Sequence, residues 1–301
     1  MKNIYIIFIF IFILIFILII LYYYGLTNSL MVLSPSTNIG NMLSDYFYYK
    51  LTYNHRFTSL LLDPKNGNEI NNFLKKVINH KTDIKIDIPY AKNNIISNKW
   101  LYKNSPGFEE FWKKARPIIK EIYMNSLPEI NINIPVVHFR CSDVPFIKNS
   151  DYHLPKMNYI YQIIDELQRR NYNNILFLNC FSHINKNNTI CQKILNIYVN
   201  EFEKNGINVK FECGTIIEDF NKMVKCPFLI SLNSSSFAFM AGISKDPINY
   251  MSNNMGEEIN NEFIKQTEGD WIYSSYEPIL HKDIKNYYDI NELKRLMFLT
   301  D

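Results

Sequence analysis

From residue 132 onward the sequence alternates short apolar runs with longer amphipathic segments that have helical spacing. This pattern predicts strands at 134–139, 174–179, 208–211 and 228–232, and helices at 157–170, 190–204, 216–224 and from Ser235 onward. Strands that alternate with helices of about 10 to 15 residues are typical of a parallel, doubly wound sheet. Such a sheet binds ligands beyond the carboxyl ends of its strands, so the residues that follow each predicted strand are the first candidates for a site.

The N-terminal segment is strongly apolar. Residues 4–24 contain no charge, glycine or proline, and at about 1.5 Å per residue a helix of this length crosses a hydrocarbon core of ~30 Å. The run is longer than the roughly 7 to 15 apolar residues of a cleaved signal peptide, which is the less favoured alternative. We therefore predict an uncleaved transmembrane signal anchor at 1–24. Lys2 precedes this segment and no charge follows it until Asp45, so we expect a single-pass type II membrane protein whose body is lumenal, in the secretory pathway.

Composition and missing motifs exclude several classes of function. Hydrophobic residues make up 47% and charged residues 20% of the chain, which indicates a folded body. The net charge of +3 is spread without a basic stripe, so no nucleic-acid partner is expected. The glycine motifs of dinucleotide enzymes and P-loop NTPases are absent, as is the G-x-S-x-G motif of hydrolases. No D-x-D triplet is present, so we expect cationic side chains, and no metal, to hold any diphosphate.

Five cysteines and two glycosylation sequons bear on the compartment. The cysteines show neither C-x-x-C pairs nor zinc-ligand spacing, and their odd number leaves at least one thiol free. The sequence does not determine how they pair. The sequons begin at Asn187 and Asn233. We expect glycosylation at Asn187 only, because Asn233 lies in the candidate site described next.

Two predicted strands lead into residues that suit an anionic ligand. After the strand at 134–139, strand alternation places His138 and Arg140 on one face, with Asp143 in the loop beyond. An arginine there can bind a diphosphate through two hydrogen bonds and stabilise charge on a leaving group; alternatively it pairs with Asp143 for structure. After the strand at 228–232, helix-start amides and serine hydroxyls suit a phosphate, although plain N-capping is an alternative. The residues at this second position are Asn233, Ser234, Ser235, Ser236 and Phe237.

Three stretches of the chain resemble motifs of one enzyme family, and they occur in the family's order. Residues 38–43 (NIGNML) resemble its G-L-G-N-Q-M/L-F loop, and residues 138–143 (HFRCSD) resemble its H-x-R-R-x-D motif. Residues 218–226 (EDFNKMVKC) leading into 233–237 (NSSSF) resemble its D-h-x-x-M-x-x-C…N-S-S/T-F-S-W-W segment. The family is that of the fucosyltransferase-like GT-B glycosyltransferases, and the nearest type is the alpha-1,2-fucosyltransferase, glycosyltransferase family 11.

The resemblance implies an α/β fold with two Rossmann-like lobes and a parallel sheet in the C-terminal lobe, here preceded by the transmembrane helix. On this basis we expect an N-terminal, acceptor-side lobe at 25–130, a donor-binding lobe at 131–250, and a helical extension at 251–301 that packs back on the lobes.

The resemblance also implies metal-independent transfer of fucose from GDP-fucose to a glycan hydroxyl, with inversion at the sugar carbon. Arg140 would stabilise the diphosphate leaving group, and Asp143 is the first candidate for a general base, ahead of Asp219. Gly40 and Asn41 would face the cleft from the other lobe. The predicted donor-binding residues are His138, Arg140, Ser234, Ser235, Ser236 and Phe237.

Two alternatives remain open. The protein could be a GT-B glycosyltransferase that uses another sugar nucleotide, or a catalytically inactive, membrane-anchored protein that binds glycans or acts at a surface.

Overall fold

The computed structural model describes residues 16, 39–53, 67–80, 108–141, 153–178, 189–233, 235–246, 249–252, 272–273, 279–286 and 288–299. Within these ranges no helix is long and apolar enough to cross a membrane. Apart from Phe16, the predicted anchor at 1–24 lies outside the described residues, so the anchor stays a prediction.

The centre of the fold is a six-stranded, fully parallel sheet with strand order β4-β3-β1-β5-β6-β7. A separate antiparallel pair is formed by β2 and β8. The strands are β1 (Val136–His138), β2 (His153–Leu154), β3 (Asn174–Leu178), β4 (Asn208–Glu212), β5 (Leu229–Ser231), β6 (Tyr250–Ser252), β7 (Ile272–Tyr273) and β8 (Ile279–Leu280). The predicted α/β fold with a parallel sheet is thus confirmed.

The first strand along the chain, β1, lies in the middle of the sheet, and later strands lie on both sides of it. From β1 it proceeds to β3 and β4 on one side, then returns to β5, β6 and β7 on the other. Strands β1, β3 and β5 consist mainly of apolar residues because both faces of the sheet are covered there. The order of strands reverses between β1 and β5, and ligands bind at this kind of switch point in doubly wound sheets.

One face of the sheet is covered by three amphipathic helices. These are α4 (Met157–Arg169), α5 (Thr189–Lys204) and α8 (Ile290–Met297). Their apolar stripes pack with Val137, Phe177 and Ile230 of the strands into one buried cluster. The helical spacing of residues 283–297 predicts a helix that starts at Asp283, but helix α8 begins at Ile290. The prediction was wrong because the Asp289 side chain caps the helix, accepting hydrogen bonds from the amides of Asn291 and Glu292.

On the other face, the described residues form five helices. These are α1 (Ile39–Tyr53), α2 (Gly67–Asn79), α3 (Phe108–Ser126), α6 (Ile216–Lys225) and α7 (Ser236–Gly242). Helices α6 and α7 contact strands β1 and β5, and the other three pack against this pair and each other. Between 39 and 126 the described residues form helices and no strand, and their buried side chains share one core with the sheet. A second Rossmann-like lobe and the predicted domain limits stay predictions. The predicted limit between 250 and 251 falls inside β6.

Helix α6 is fixed at both ends by side chains. At its start Thr215 and Glu218 form a reciprocal capping box. The Thr215 hydroxyl also donates to Glu69 Oε1 at 2.5 Å, which joins α6 to α2. At its end the buried Lys245 ammonium donates to the carbonyl oxygens of Val224 (2.9 Å) and Cys226. These bonds satisfy carbonyls that a helix end otherwise leaves without partners.

Candidate active site

The carboxyl ends of β1 and β5 lie side by side at the switch point of the sheet. His138, the last residue of β1, is in register with Ser231, the last residue of β5. Beyond them, the Leu232 amide donates to the His138 carbonyl at 3.0 Å, so the two segments stay paired for one more step. Arg140 follows on one segment and Ser235 on the other, which brings the two predicted halves of the donor site together.

His138 contacts the start of helix α7. Its Nε2 shares a hydrogen bond with Ser235 Oγ at 3.0 Å. Ser235 is the N-cap of α7, and its hydroxyl oxygen also accepts the amide of Ala238 at 3.3 Å. The rings of His138 and Phe237 meet edge to face with their centroids 5.9 Å apart. N-capping and the proposed site therefore use the same serine, so the two interpretations of Ser235 do not exclude each other.

The imidazole of His138 is uncharged at neutral pH. Burial, and then the positive charge of Arg140, lower the pKa of His138 from its ordinary 6.5 to about 4. Of these two residues, Arg140 therefore carries the positive charge. His138 contributes a neutral ring nitrogen.

Asn233 connects the two segments through its side chain, which is completely buried. Its Oδ1 accepts the Arg140 amide at 3.1 Å, and its Nδ2 donates to the Arg140 carbonyl at 2.5 Å. The same Nδ2 lies 3.4 Å from the His153 carbonyl of β2. A glycan on this nitrogen has no room, in line with the expectation that this sequon is unused; Asn187 lies outside the described residues. The sequence places Asn233 at the second candidate position but assigns its side chain no role there, although a polar residue directly after a buried strand was a usable signal.

Gly40 lies in the first turn of α1, against the start of α7. A Cβ atom at Gly40 would lie 2.4 Å from both the Phe237 nitrogen and the Ser236 carbonyl carbon. Only glycine permits this approach, because backbone atoms cannot move aside as a flexible side chain can. Gly40 therefore lies beside Ser236 and Phe237, and Asn41 follows it, partly exposed; the cleft role of both residues stays a prediction.

The stretch at 218–226 reaches the site through an aromatic ring. Phe220 on α6 packs against Phe237 with a centroid distance of 5.3 Å. Asp219, the second candidate for a general base, is buried and accepts the Gly214 amide at 3.1 Å, with Lys222 Nζ 3.8 Å away. Asp219 therefore helps to hold the start of its own helix.

Cys141 follows Arg140 but points to the opposite side of the strand. It forms a disulfide with Cys191 of α5 and is buried in the cluster of α4, α5 and α8. Cys213 is also disulfide-bonded, and Cys226 is a buried free thiol, which confirms the expected unpaired cysteine. Asp143 and Ser234 lie outside the described residues, so their predicted roles stay predictions.

The described residues hold no group of three or more His, Cys, Asp or Glu side chains that could bind a metal. A cavity of about 390 Å³ lies at the opposite, amino-terminal ends of the strands. Two of its lysines are paired, Lys120 with Asp246 and Lys225 with Glu129. The cavity lies apart from His138, Arg140 and Ser235, although the end of the 218–226 stretch, at Val224, Lys225 and Cys226, lines it.

Comparison with known proteins finds no matching protein-family model and no matching curated protein. Two solved structures show weak similarity. A crystal structure of POFUT1 in complex with GDP has 10% identity and a TM-score of 0.28, covering 64% of this chain and 68% of that one. A crystal structure of POFUT1 in complex with GDP-fucose has 11% identity and a TM-score of 0.28, covering 62% of this chain and 68% of that one. Similarity at this level assigns neither a family nor a function.

Proposed function

We propose that the protein is a membrane-anchored, inverting glycosyltransferase that transfers fucose from GDP-fucose to a glycan hydroxyl. The observation that carries this proposal is that residues from separate parts of the chain come together at one place in the fold. Residues from all of the motif stretches meet around the start of α7, at the switch point of a parallel sheet: Gly40, His138 with Arg140, Phe220, and Ser235 with Phe237. The three stretches begin at residues 38, 138 and 218, and chance placement of three such distant segments around one helix start is improbable.

The charges at this point suit a diphosphate. Arg140 carries a permanent positive charge and acts electrostatically on the neutral His138 ring, which is hydrogen-bonded to the Ser235 hydroxyl. In the proposed reaction an acceptor hydroxyl oxygen attacks the anomeric carbon from the side opposite the diphosphate. The bond from that carbon to the diphosphate oxygen breaks, and the electron pair leaves with GDP. Arg140 would stabilise this negative charge by charge-assisted hydrogen bonds.

The proton of the acceptor hydroxyl needs a base. We assign this role to Asp143, three residues beyond Arg140 in sequence, because it follows strand β1 and ligands bind beyond the carboxyl ends of the strands in doubly wound sheets. A positioned general base contributes about 10²- to 10⁴-fold in rate. We further propose that no metal takes part and that chelators leave the activity unchanged, because Arg140 supplies the cation and no D-x-D triplet is present.

The disulfides support the proposed location. Disulfides persist in oxidising compartments and are rare in the cytosol. The Cys141–Cys191 bond and the disulfide-bonded Cys213 therefore favour a lumenal body, which agrees with a type II orientation of the proposed anchor.

Cys141 also favours a second candidate function. The resembling motif has an arginine at this position, whereas Cys141 is tied to Cys191 on the far side of the strand. A donor site with one arginine fewer could select another sugar nucleotide, or bind a glycan without catalysis. The test must therefore include other donors and must measure binding as well as turnover.

Binding of sugar nucleotides to the full-length chain in detergent tests the proposal. We would measure dissociation constants for GDP, GDP-fucose, GDP-mannose, UDP-glucose and UDP-galactose, and fucose transfer to a panel of glycans. Arg140→Ala should weaken GDP binding by about 10- to 100-fold, since a hydrogen bond to a charged group contributes roughly 1.5–3 kcal/mol. Arg169→Ala is the matched control, because that exposed arginine pairs with Glu166 on α4.

Three outcomes are informative. GDP binding that depends on Arg140 and not on Arg169 supports the proposal. Arg140-dependent binding of a different nucleotide sugar corrects the donor. A folded protein that binds no nucleotide sugar contradicts the enzyme proposal and moves the search to glycan binding.

A further inference from the structure

We infer that Asn233 is a positioning residue that fixes Arg140 for its ligand. The inference rests on the proposed function, in which Arg140 binds the donor diphosphate. Asn233 does not need to touch the donor. It acts through the backbone of Arg140, whose amide and carbonyl groups both bond to the Asn233 carboxamide.

Arg140 needs such support because it lies beyond the end of its strand. Strand β1 ends at His138, and within the described part of the two neighbouring segments the last backbone bond runs from the Leu232 amide to the His138 carbonyl. One residue further along, the carboxamide of Asn233 replaces a strand partner: its oxygen accepts the Arg140 amide and its nitrogen donates to the Arg140 carbonyl. A carboxamide offers the same donor and acceptor as a peptide group, so the pairing of the two segments continues through a side chain.

The surroundings of Asn233 make this support rigid. The side chain is completely buried, and the main-chain carbonyl of Asn233 accepts a hydrogen bond from the Ser231 hydroxyl at 2.8 Å. The next residue after Arg140, Cys141, is fixed on the opposite face by its disulfide to Cys191. Arg140 is thus held on one side by Asn233 and on the other by a covalent bond, which limits the directions in which its side chain can extend.

Asparagine is the residue that meets both requirements at this position. Aspartate has the same shape and keeps an acceptor for the Arg140 amide, but an ionised carboxylate cannot donate to the Arg140 or His153 carbonyl. Alanine loses both bonds. Asn233→Asp therefore removes the donor half of the contact with little change in volume, and Asn233→Ala removes the whole contact.

The test compares Asn233 with a second buried asparagine. Asn221 on α6 is also buried, and its Nδ2 donates to the Pro128 carbonyl at 3.0 Å. We would measure the melting temperature and the GDP dissociation constant of the full-length chain for Asn233→Asp and for the control Asn221→Asp. Both variants should lower the melting temperature. Asn233→Asp should weaken GDP binding at least tenfold, whereas Asn221→Asp should change it less than twofold.

A double variant separates positioning from a general structural role. If Asn233 acts through Arg140, then adding Asn233→Asp to Arg140→Ala should weaken GDP binding no further. An undiminished effect in the Arg140→Ala background overturns the inference, as does unchanged GDP binding by the single variant. In both cases Arg140-dependent GDP binding would leave the proposed function standing. Absence of GDP binding by the wild-type chain contradicts both the inference about Asn233 and the proposed function.

Amide hydrogen exchange provides a measurement that needs no variant. The Arg140 amide should exchange slowly in the wild-type chain, because Asn233 accepts its hydrogen bond in a buried position. If the Asn233 variants do not fold, the exchange rate of the Arg140 amide in the wild-type chain tests whether Asn233 fixes Arg140. Exchange of the Arg140 amide at the rate of an exposed loop overturns the inference.

Discussion

His138 shows how a single residue is tuned by its surroundings. Burial and the neighbouring Arg140 lower its pKa to about 4. We expect the His138 ring signals in an NMR titration of the folded protein to stay constant between pH 5 and 8. A titration midpoint near 6.5 would contradict the proposed charge distribution, in which Arg140 alone carries the positive charge next to a neutral ring.

The same shift has a consequence for stability. Since the folded-state pKa of His138 is below its unfolded value, the unfolded chain takes up a proton first as the pH falls. The free energy of unfolding therefore keeps its full value with respect to His138 above about pH 6.5. Between pH 6.5 and 4 it falls by at most about 3 kcal/mol as the unfolded chain binds the proton. Urea unfolding at pH 7 and pH 4.5 should show a smaller loss in His138→Gln than in the wild type. Equal losses would show that other groups cause the whole effect.

At the scale of elements, the contact between α1 and α7 depends on Gly40. Gly40→Ala places a methyl group 2.4 Å from backbone atoms of α7, so the two helix starts must separate. Alanine favours a helix by about 1 kcal/mol over glycine, but overpacking typically costs about 1–3 kcal/mol. We expect lower stability in denaturant unfolding, and weaker GDP binding because Phe237 and Ser236 are displaced.

Gly67→Ala is the matched control for this prediction. Gly67 has open space around it, but its φ of 75° is unfavourable for alanine. It should therefore lose stability without any change in GDP affinity. Gly40→Ala with wild-type GDP affinity would show that the α1–α7 contact does not shape the site.

The sequence predicted correctly those elements in which regularly spaced apolar residues form the buried face. Helices α4 and α5 begin or end within one residue of the predicted limits, because their apolar stripes cover the sheet. The strands β6 and β7 were missed, since two or three residues carry no periodic pattern and pair only with distant neighbours. Alternation along β1 placed His138 and Arg140 together. The bond from Asn233 to Arg140 joins residues 93 positions apart, and no local pattern encodes such a contact.

At the scale of the whole molecule, the Cys141–Cys191 disulfide joins the central strand to the helix layer on one face. The two cysteines are separated by 50 positions in sequence, and closing a loop of this length restricts the unfolded chain by about 4 kcal/mol in the chain-entropy model. Cys141→Ala/Cys191→Ala should therefore unfold at clearly lower denaturant concentration. GDP binding should weaken as well, because the residue next to Arg140 is released.

Cys226→Ala provides the control for the disulfide variant. Cys226 is a buried free thiol at the end of α6, away from the candidate site, so its loss should cost less stability and leave GDP affinity unchanged. The comparison also bears on location. A protein whose central strand and ligand affinity both depend on a disulfide works fully only where thiols are oxidised. If the double variant matches the wild type in stability and GDP binding, the disulfide neither supports the site nor favours a lumenal body.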